Sequence, residues 1–433
     1  MNKILLYTLL LVLFSLNPSM AQLGDVYIKA GHLYDSEQKV LIKNKTIQLR
    51  GTTIVSISDW NSIPQNAKII DLSDYTVLPG LIDAHTHVLF SQTPVDDFAE
   101  HSIQTLVMEG DALRALRGAK RAKAYLDVGI TSIKDLGNSG LFLDVALRDA
   151  IDEGSIAGPR IFASGPIMAA AGGQIYGVPS KQQHIIEQEY RIIKNVEDAR
   201  NAVREHVNQN VDLIKICADN LPNRTLLSFD EMKAIVQTAH EYNLTVTAHA
   251  VTNQSAWNAI TAGVDGIEHG FNIADTTLAL MAQKKVFLVP TENSRAYMEN
   301  YAKMVGMGDD EVDWIDYYME NMTKRLQSAL DKGVPVLAGS DNYMDVGVSR
   351  GVSSRDMFRF YFEAGMKPLD ILHAATYLSA VHLNKEKEIG NLIPRAKADI
   401  IAVKGDLEGN FLNTLENLVF VMKDGEIYLD KTE

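Results

Sequence analysis

A single cysteine, Cys217, stands in the whole chain, so no internal disulfide can form. A structural zinc site built on cysteine is excluded as well unless a partner chain contributes, and any metal must be held by histidine, carboxylate or a less usual ligand. Basic charge is also in short supply. Lys and Arg number 41 against 55 Asp and Glu, a formal net charge of -14, which argues against nucleic acid or an acidic membrane surface as partner. No glycine-rich dinucleotide turn follows the first predicted strand of the central region, which disfavours an open doubly wound sheet. There are no internal repeats and no low-complexity tract. The longest apolar run, Ile4 to Leu16, is too short to span a membrane. It follows Lys3 and precedes the small-x-small signal Ser19-Met20-Ala21, with no cysteine behind it. The expectation is a secretory signal peptide over residues 1–21, cleaved after Ala21, and a soluble, exported product.

What is present changes character along the chain. From Asp25 to Asp71 short alternating segments, such as Val26–Ile28 and Thr46–Arg50, are punctuated by Gly31, Asn44 and Gly51, and predict strands without a helix. From Pro79 strand and helix alternate. Helices are expected over His101–Asp127, Gln182–Asn208, Ser228–Tyr242 and Asp309–Asp331, and strands at Gly129–Asp135, Asp212–Cys217, Leu244–His249 and Val334–Asp341. About eight strands in this rhythm predict a TIM-like (β/α)8 barrel over 79–389. After Gly390 strand character returns, so both chain ends, 22–78 and 390–433, are expected to pair into a small β-sandwich.

The barrel opens on Leu81-Ile-Asp-Ala-His-Thr-His87, in which Asp83, His85 and His87 alternate and share one side of a strand. Two imidazoles there suit a divalent metal. His249, His269 and Asp341 each end a later predicted strand, and in a barrel those ends converge on one rim. Asp341 can bind metal and also take a proton from an attacking water. Lys215, flanked by Ile214 and Ile216, points inward. Three roles are open to it: a carbamate formed with carbon dioxide and bridging two metals, a partner for a substrate carboxylate, or a partner for an acid.

These motifs, together with Gly266-Ile-Glu-His-Gly270 and Ala338-Gly-Ser-Asp341, are similar to those of the amidohydrolase superfamily, over about Asp25 to Leu429. The layout resembles the branch near imidazolonepropionase and the Xaa-Pro dipeptidases. The resemblance implies that His85, His87 and Asp341 bind one metal, that His249 and His269 bind a second, and that a carboxylated Lys215 bridges them, with zinc the expected metal. Histidine, lysine and carboxylate also accept Mn, Co or Fe. One departure stands out: relatives often carry a histidine after the double glycine of the third-strand loop, whereas Gly172-Gly173 here precedes Gln174. Gln174 can donate a hydrogen bond to a tetrahedral oxyanion but carries no charge. The implied activity is cleavage of an amide bond in a small substrate with a free carboxylate, Xaa-Pro or another dipeptide first, an N-acyl amino acid second. A cyclic amidohydrolase or deaminase, and a noncatalytic binding protein, are the competing classes; the complete ligand set disfavours the last. Arg224, Arg295, Arg350 and Arg355 are candidates for the substrate carboxylate, and a homo-oligomer is compatible with the sequence.

Overall fold

The computed structural model describes residues 24–308 and 313–432. The expected signal peptide and the first residues of the helix expected from Asp309 lie outside them. The protein is a mixed α/β molecule of three sheets. One is seven-stranded and draws on both chain ends: Val26–Asp35, Val40–Arg50, Thr53–Asp59 and Lys68–Pro79 join Ile400–Val403, Leu418–Lys423 and Glu426–Asp430. The link is the antiparallel pairing of Lys68–Pro79 with Ile400–Val403, which sets Pro79 opposite Ile400. Asn44, expected to make a turn, instead lies inside Val40–Arg50 with φ +56°. Asparagine tolerates this left-handed backbone better than most residues, so the strand continues past it.

The expected sandwich takes the form of one continuous sheet. Its edge strand Thr53–Asp59 returns to the segment entering Ile400–Val403, through Ile54 N to Ala396 O at 2.9 Å and Ala398 N to Thr52 O at 2.8 Å. The curl encloses a separate apolar cluster that includes Ile28, Ile47, Leu72, Ile400 and Phe420.

The middle of the chain supplies parallel strands. Leu81–Thr86, Ile130–Asp135 and Arg160–Ala163 form a three-stranded sheet. A six-stranded sheet holds Ile167–Ala169, Tyr190–Ile192, Ile214–Cys217, Val246–Ala250, Gly266–His269 and Phe287–Val289. Backbone hydrogen bonds tie the two together. Asp212 N donates to Ala163 O at 2.8 Å on one side. On the other, the segment around Val336 bonds Leu288 and then Ala84, with Ala84 N to Ala338 O at 2.8 Å. Core residues such as Ile133, Ile214, Ala248, Ile267 and Leu288 are fully buried.

Two expected helices are divided. His101–Asp127 becomes Phe98–Met108 and Asp111–Leu126, because Asp97 caps the first and Gly110, in an extended conformation, starts the second. Gln182–Asn208 contains the strand Tyr190–Ile192 before Asn195 caps helix Val196–Asn208. At Phe229–Glu241 the Ser228–Glu231 capping box forms as the sequence predicts. Among the described residues no helix is long and apolar enough to cross a membrane.

Candidate metal centre

The seven residues singled out as ligands or catalytic groups, His85, His87, Gln174, Lys215, His249, His269 and Asp341, line one cavity of about 350 Å³. His85 and His87 come from Leu81–Thr86 and the residue beyond it. Asp341 is brought to them by its own backbone, whose N–H donates to His85 O at 2.8 Å. Asp83 reinforces that junction, accepting from Ser340 N at 2.9 Å, Ser340 Oγ at 2.6 Å and His85 N at 3.1 Å. It therefore fastens the ligand loop to the strand and is not one of the ligand atoms. Burial pushes its carboxyl up to about 7 despite these donors.

The imidazoles are oriented by their second nitrogens. His85 Nδ1 lies 2.7 Å from Glu268 Oε2, and His87 Nδ1 lies 2.8 Å from Gly137 O. Both Nε2 atoms then face Asp341 Oδ1, at 3.5 and 3.2 Å, and stand 3.2 Å from each other. These three residues hold ligand atoms within 4.8 Å of one another. Orienting each ring through a carboxylate or carbonyl is the arrangement that metal-binding histidines use, so the donor set fits a divalent cation.

The remaining pair is adjacent. The His249 and His269 rings are 4.5 Å apart, and His269 is 5.0 Å from His85. His269 Nδ1 meets Thr291 Oγ1 at 2.8 Å, and His249 Nε2 lies 3.5 Å from Asp219 Oδ1 and 3.4 Å from Gln174 Nε2. Gln174 Oε1 in turn accepts from Tyr190 at 3.4 Å. Burial and then Lys215 lower His85 and His249 to about 4, and burial, with His249, His85 and Lys215 close by, holds His269 well below its ordinary value. These three rings are neutral at neutral pH, the form that binds metal. His87 goes the other way: burial disfavours its charge, but Asp341 outweighs it. Asp341 is held far below the carboxylate range: burial raises it, but the ring of imidazoles around it, with His87 hydrogen-bonded to it, outweighs that.

Lys215 is 2 % exposed, and burial lowers its amine. Among the described residues no carboxylate pairs with it, which removes one of its three roles. Glu268 is taken instead by Lys134 at 3.0 Å, by Thr247 and by His85. Neither Glu268 nor Lys134 was singled out from the sequence. Lys134 carried a weaker signal than Lys215, because it follows Ile133 but precedes Asp135 in a strand that also holds Thr131 and Ser132. Glu268 was hidden by its neighbour: strict alternation would send it away from His269, but His269 has φ +68°, and the alternation fails there. A second buried support was also missed. Arg325, paired with Glu292, donates to the His269 carbonyl.

None of the four arginines suggested for a substrate carboxylate lines the cavity. Arg350 is buried and spends its guanidinium on the carbonyls of His87, Phe90, Asn342 and Tyr343. Arg295 pairs with Asp316 on the surface, and Arg355 borders a different hollow. Arg224 is exposed, two residues beyond the cavity-lining Pro222. The rest of the wall is largely apolar: Phe98, Ile167, Leu221, Pro222, Phe271 and the ring of Tyr343.

Residues 76–429 match the amidohydrolase family. Ochratoxinase from Aspergillus niger is 26% identical over 407 residues, covering 87% of this chain and 80% of that protein. Imidazolonepropionase from Clostridium tetani is 21% identical over 425 residues, covering 90% and 92%. Among solved structures, a prolidase complexed with N-methylphosphonate-L-proline superposes with a TM-score of 0.80 at 26% identity, and a Xaa-Pro dipeptidase with bound methionine with 0.79 at 26%. Each covers 94% of this chain and 100% of the solved one.

Proposed function

Because this chain belongs to the amidohydrolase family and is a metal-dependent hydrolase of carbon–nitrogen bonds, we propose that it is an exported binuclear enzyme cleaving the amide bond of small substrates that end in a free carboxylate. Xaa-Pro and other dipeptides are the favoured substrates, with N-acyl amino acids next. The observation that carries the reading is the convergence of all seven expected residues on one cavity. The similar prolidase and dipeptidase structures support the substrate class. The apolar wall suits a side chain or proline ring. With no arginine in that wall, the carboxylate falls to neutral donors, of which Asn138 and Tyr343 line it, the hydroxyl of Tyr176 being donated to Asp97. We read 79–389 as a closed (β/α)8 barrel with the site on its rim, and 22–78 with 390–433 as the small domain. The hydrogen bonds through Asp212 and Ala338 support closure. Export rests on residues 1–21.

His85, His87 and Asp341 would hold one metal, His249 and His269 the other, with zinc expected at both. Bound metals supply Lewis acidity toward the substrate carbonyl and toward water. Asp341, ionised and aimed into the cavity, takes the proton of the attacking water and returns it to the departing nitrogen. Gln174 donates to the carbonyl oxygen that gains negative charge as its carbon becomes tetrahedral. Burial lowers the Lys215 amine, which shifts it toward the neutral form that reacts with carbon dioxide. That form would add to carbon dioxide, forming an N–C bond and releasing its proton to water, and the carbamate would supply two oxygens as ligands.

A second reading, opening of a cyclic amide or deamination at a single metal, is favoured by one observation: only His85, His87 and Asp341 form a compact ligand group among the described residues. Metal analysis and a substrate panel decide between the two. Two metals per active chain, and release of amino acid from dipeptides or N-acyl amino acids but poorly from their C-terminal amides, are expected. Lys215→Ala should lose the second metal and most activity. One reproducible metal per active chain, with turnover confined to cyclic or aminated rings, would establish the second reading instead.

A further inference from the structure

A second hollow of about 340 Å³ lies between helix Asp111–Leu126 and the turn entering helix Arg350–Ser354. Among the described residues Arg117, Lys120, Arg121 and Arg350 face it, against one carboxylate, Asp345. That is an unusual concentration of positive charge in a chain of net charge -14. Arg117, Lys120 and Arg121 are also spaced i, i+3 and i+4 on one helix, where like charges destabilise, so helix stability does not account for them.

The pairing makes the imbalance specific. Arg117 is offset by Glu109. Arg350 bonds only to backbone carbonyls. Arg121 reaches Val88 O at 3.3 Å, and among the described residues neither it nor Lys120 has a carboxylate partner. Burial first, then the charges of Arg350 and Arg117, pull the Arg121 guanidinium down to about 10. Of the three cations without a carboxylate, Asp345 can balance one. Two positive charges are left, the complement of a dianion. Guanidinium groups bind tetrahedral oxyanions through paired, charge-assisted hydrogen bonds, and Ser91 and Ser349 add hydroxyls to the same wall.

We propose that this hollow binds a small doubly charged oxyanion, a phosphate or sulfate group, either free or as the head of a monoester. The site stands apart from the metal centre and does not depend on the substrate assigned above. It lies directly behind it, because Arg121 and Arg350 hold the carbonyls of Val88, His87 and Tyr343.

The test is calorimetric titration of the metal-loaded, full-length protein in chloride buffer with sulfate, inorganic phosphate and glycerol 3-phosphate. Wild type is compared with Lys120→Gln and with Lys120→Gln/Arg121→Gln. Saturable binding of sulfate at one site is expected, weakened at least tenfold in the double variant and several-fold in the single one. Phosphate held by the metals persists in both variants, so the difference between proteins reports this hollow. Lys120 is exposed, so the single variant keeps the test valid if the double one misfolds by circular dichroism. A crystal soaked in selenate should show an anomalous peak beside Arg121. Glycerol 3-phosphate binding as tightly as phosphate would identify an ester-accepting site, and phosphate alone a free-ion site. Equal sulfate binding by wild type and variants, or an anomalous peak only at the metals, would overturn the proposal. So would an oligomer that dissociates in the double variant without any anion effect, since an acidic face of a second copy would then be the occupant.

Discussion

His85 is the residue on which the site turns. Its Nδ1 is committed to Glu268, and Glu268 is kept ionised by Lys134 and His85 against a burial cost that would raise it. The Nε2 is thereby left free toward Asp341. Lys134 touches nothing in the cavity, so its role is positioning. Lys134→Met leaves Glu268 with less compensation in a buried setting, at about 3 kcal/mol of stability. It also loosens the ring that presents Nε2, and supporting contacts of this kind are worth about 10- to 100-fold in metal affinity. Zinc affinity, read by competition with a chromogenic chelator, should fall by that factor while far-UV circular dichroism stays native. Unchanged affinity in a folded Lys134→Met protein would show that Glu268 orients His85 without help.

Elements meet most tightly where helix Arg350–Ser354 crosses helix Asp111–Leu126. Gly351 sits against the carbonyl of Ala124, and an added Cβ would collide with that backbone oxygen. The contact matters beyond packing, since Arg350 beside it secures the loops of His87 and Tyr343. Gly351→Ala should cost about 2–3 kcal/mol, the range for forcing a methyl into a filled interface, seen as a lower urea midpoint. Gly110, the N-cap of the same long helix with open space around its Cβ position, is the comparison, and Gly110→Ala should cost only the loss of a favoured cap residue, roughly 0.5–1 kcal/mol. The same elements show the reach of sequence periodicity. Leu113, Leu116 and Leu126 recur at roughly helical spacing, yet Leu116 is 72% exposed, so an apolar repeat located the helix without identifying its buried face. The strand Tyr190–Ile192 is three residues long, too short to impose a period.

For the whole molecule the sharpest lever is pH, because buried titratable groups push in opposite directions. Asp83 and Asp144 are raised to about 7, mainly by burial. The folded state binds their protons more readily than the unfolded chain, so stability from them is lost as pH rises from about 4 to 7. His382 opposes them. It is buried with no hydrogen bond to either ring nitrogen, and burial, then Lys134, lowers it to about 3. Unfolded, it takes a proton below its ordinary value near 6.5, so its contribution falls as pH drops from about 6.5 toward 3. At about 1.4 kcal/mol per pH unit, wild type should lose ~2 kcal/mol at pH 5 relative to His382→Leu, compared with the same difference at pH 7.5. Denaturant melts of both proteins at the two pH values measure it. A pH-independent difference would mean that His382 is charged in the folded state.

The chemistry was legible along the chain because it rests on local rules. Alternation in a strand puts His85 and His87 on one side, and strand ends converge wherever parallel strands pack together, so Lys215, His249, His269 and Asp341 could be named before any contact was known. The sequence also marked both chain ends as strand-rich. Which groups orient those side chains was decided only in three dimensions. Glu268 reaches His85 across 183 positions of chain, Lys134 meets Glu268 across 134, and Arg350 was spent on backbone carbonyls instead of facing the cavity. Such pairings depend on where separate strands are brought side by side, and on a left-handed turn at His269 that cancels the local alternation. A pattern of residue types holds no term for either. The balance of charge in the hollow beside Arg121 is of the same kind: its cations are visible in the sequence, but that Asp345 is the only carboxylate among the described residues lining it is settled by the packing of two helices.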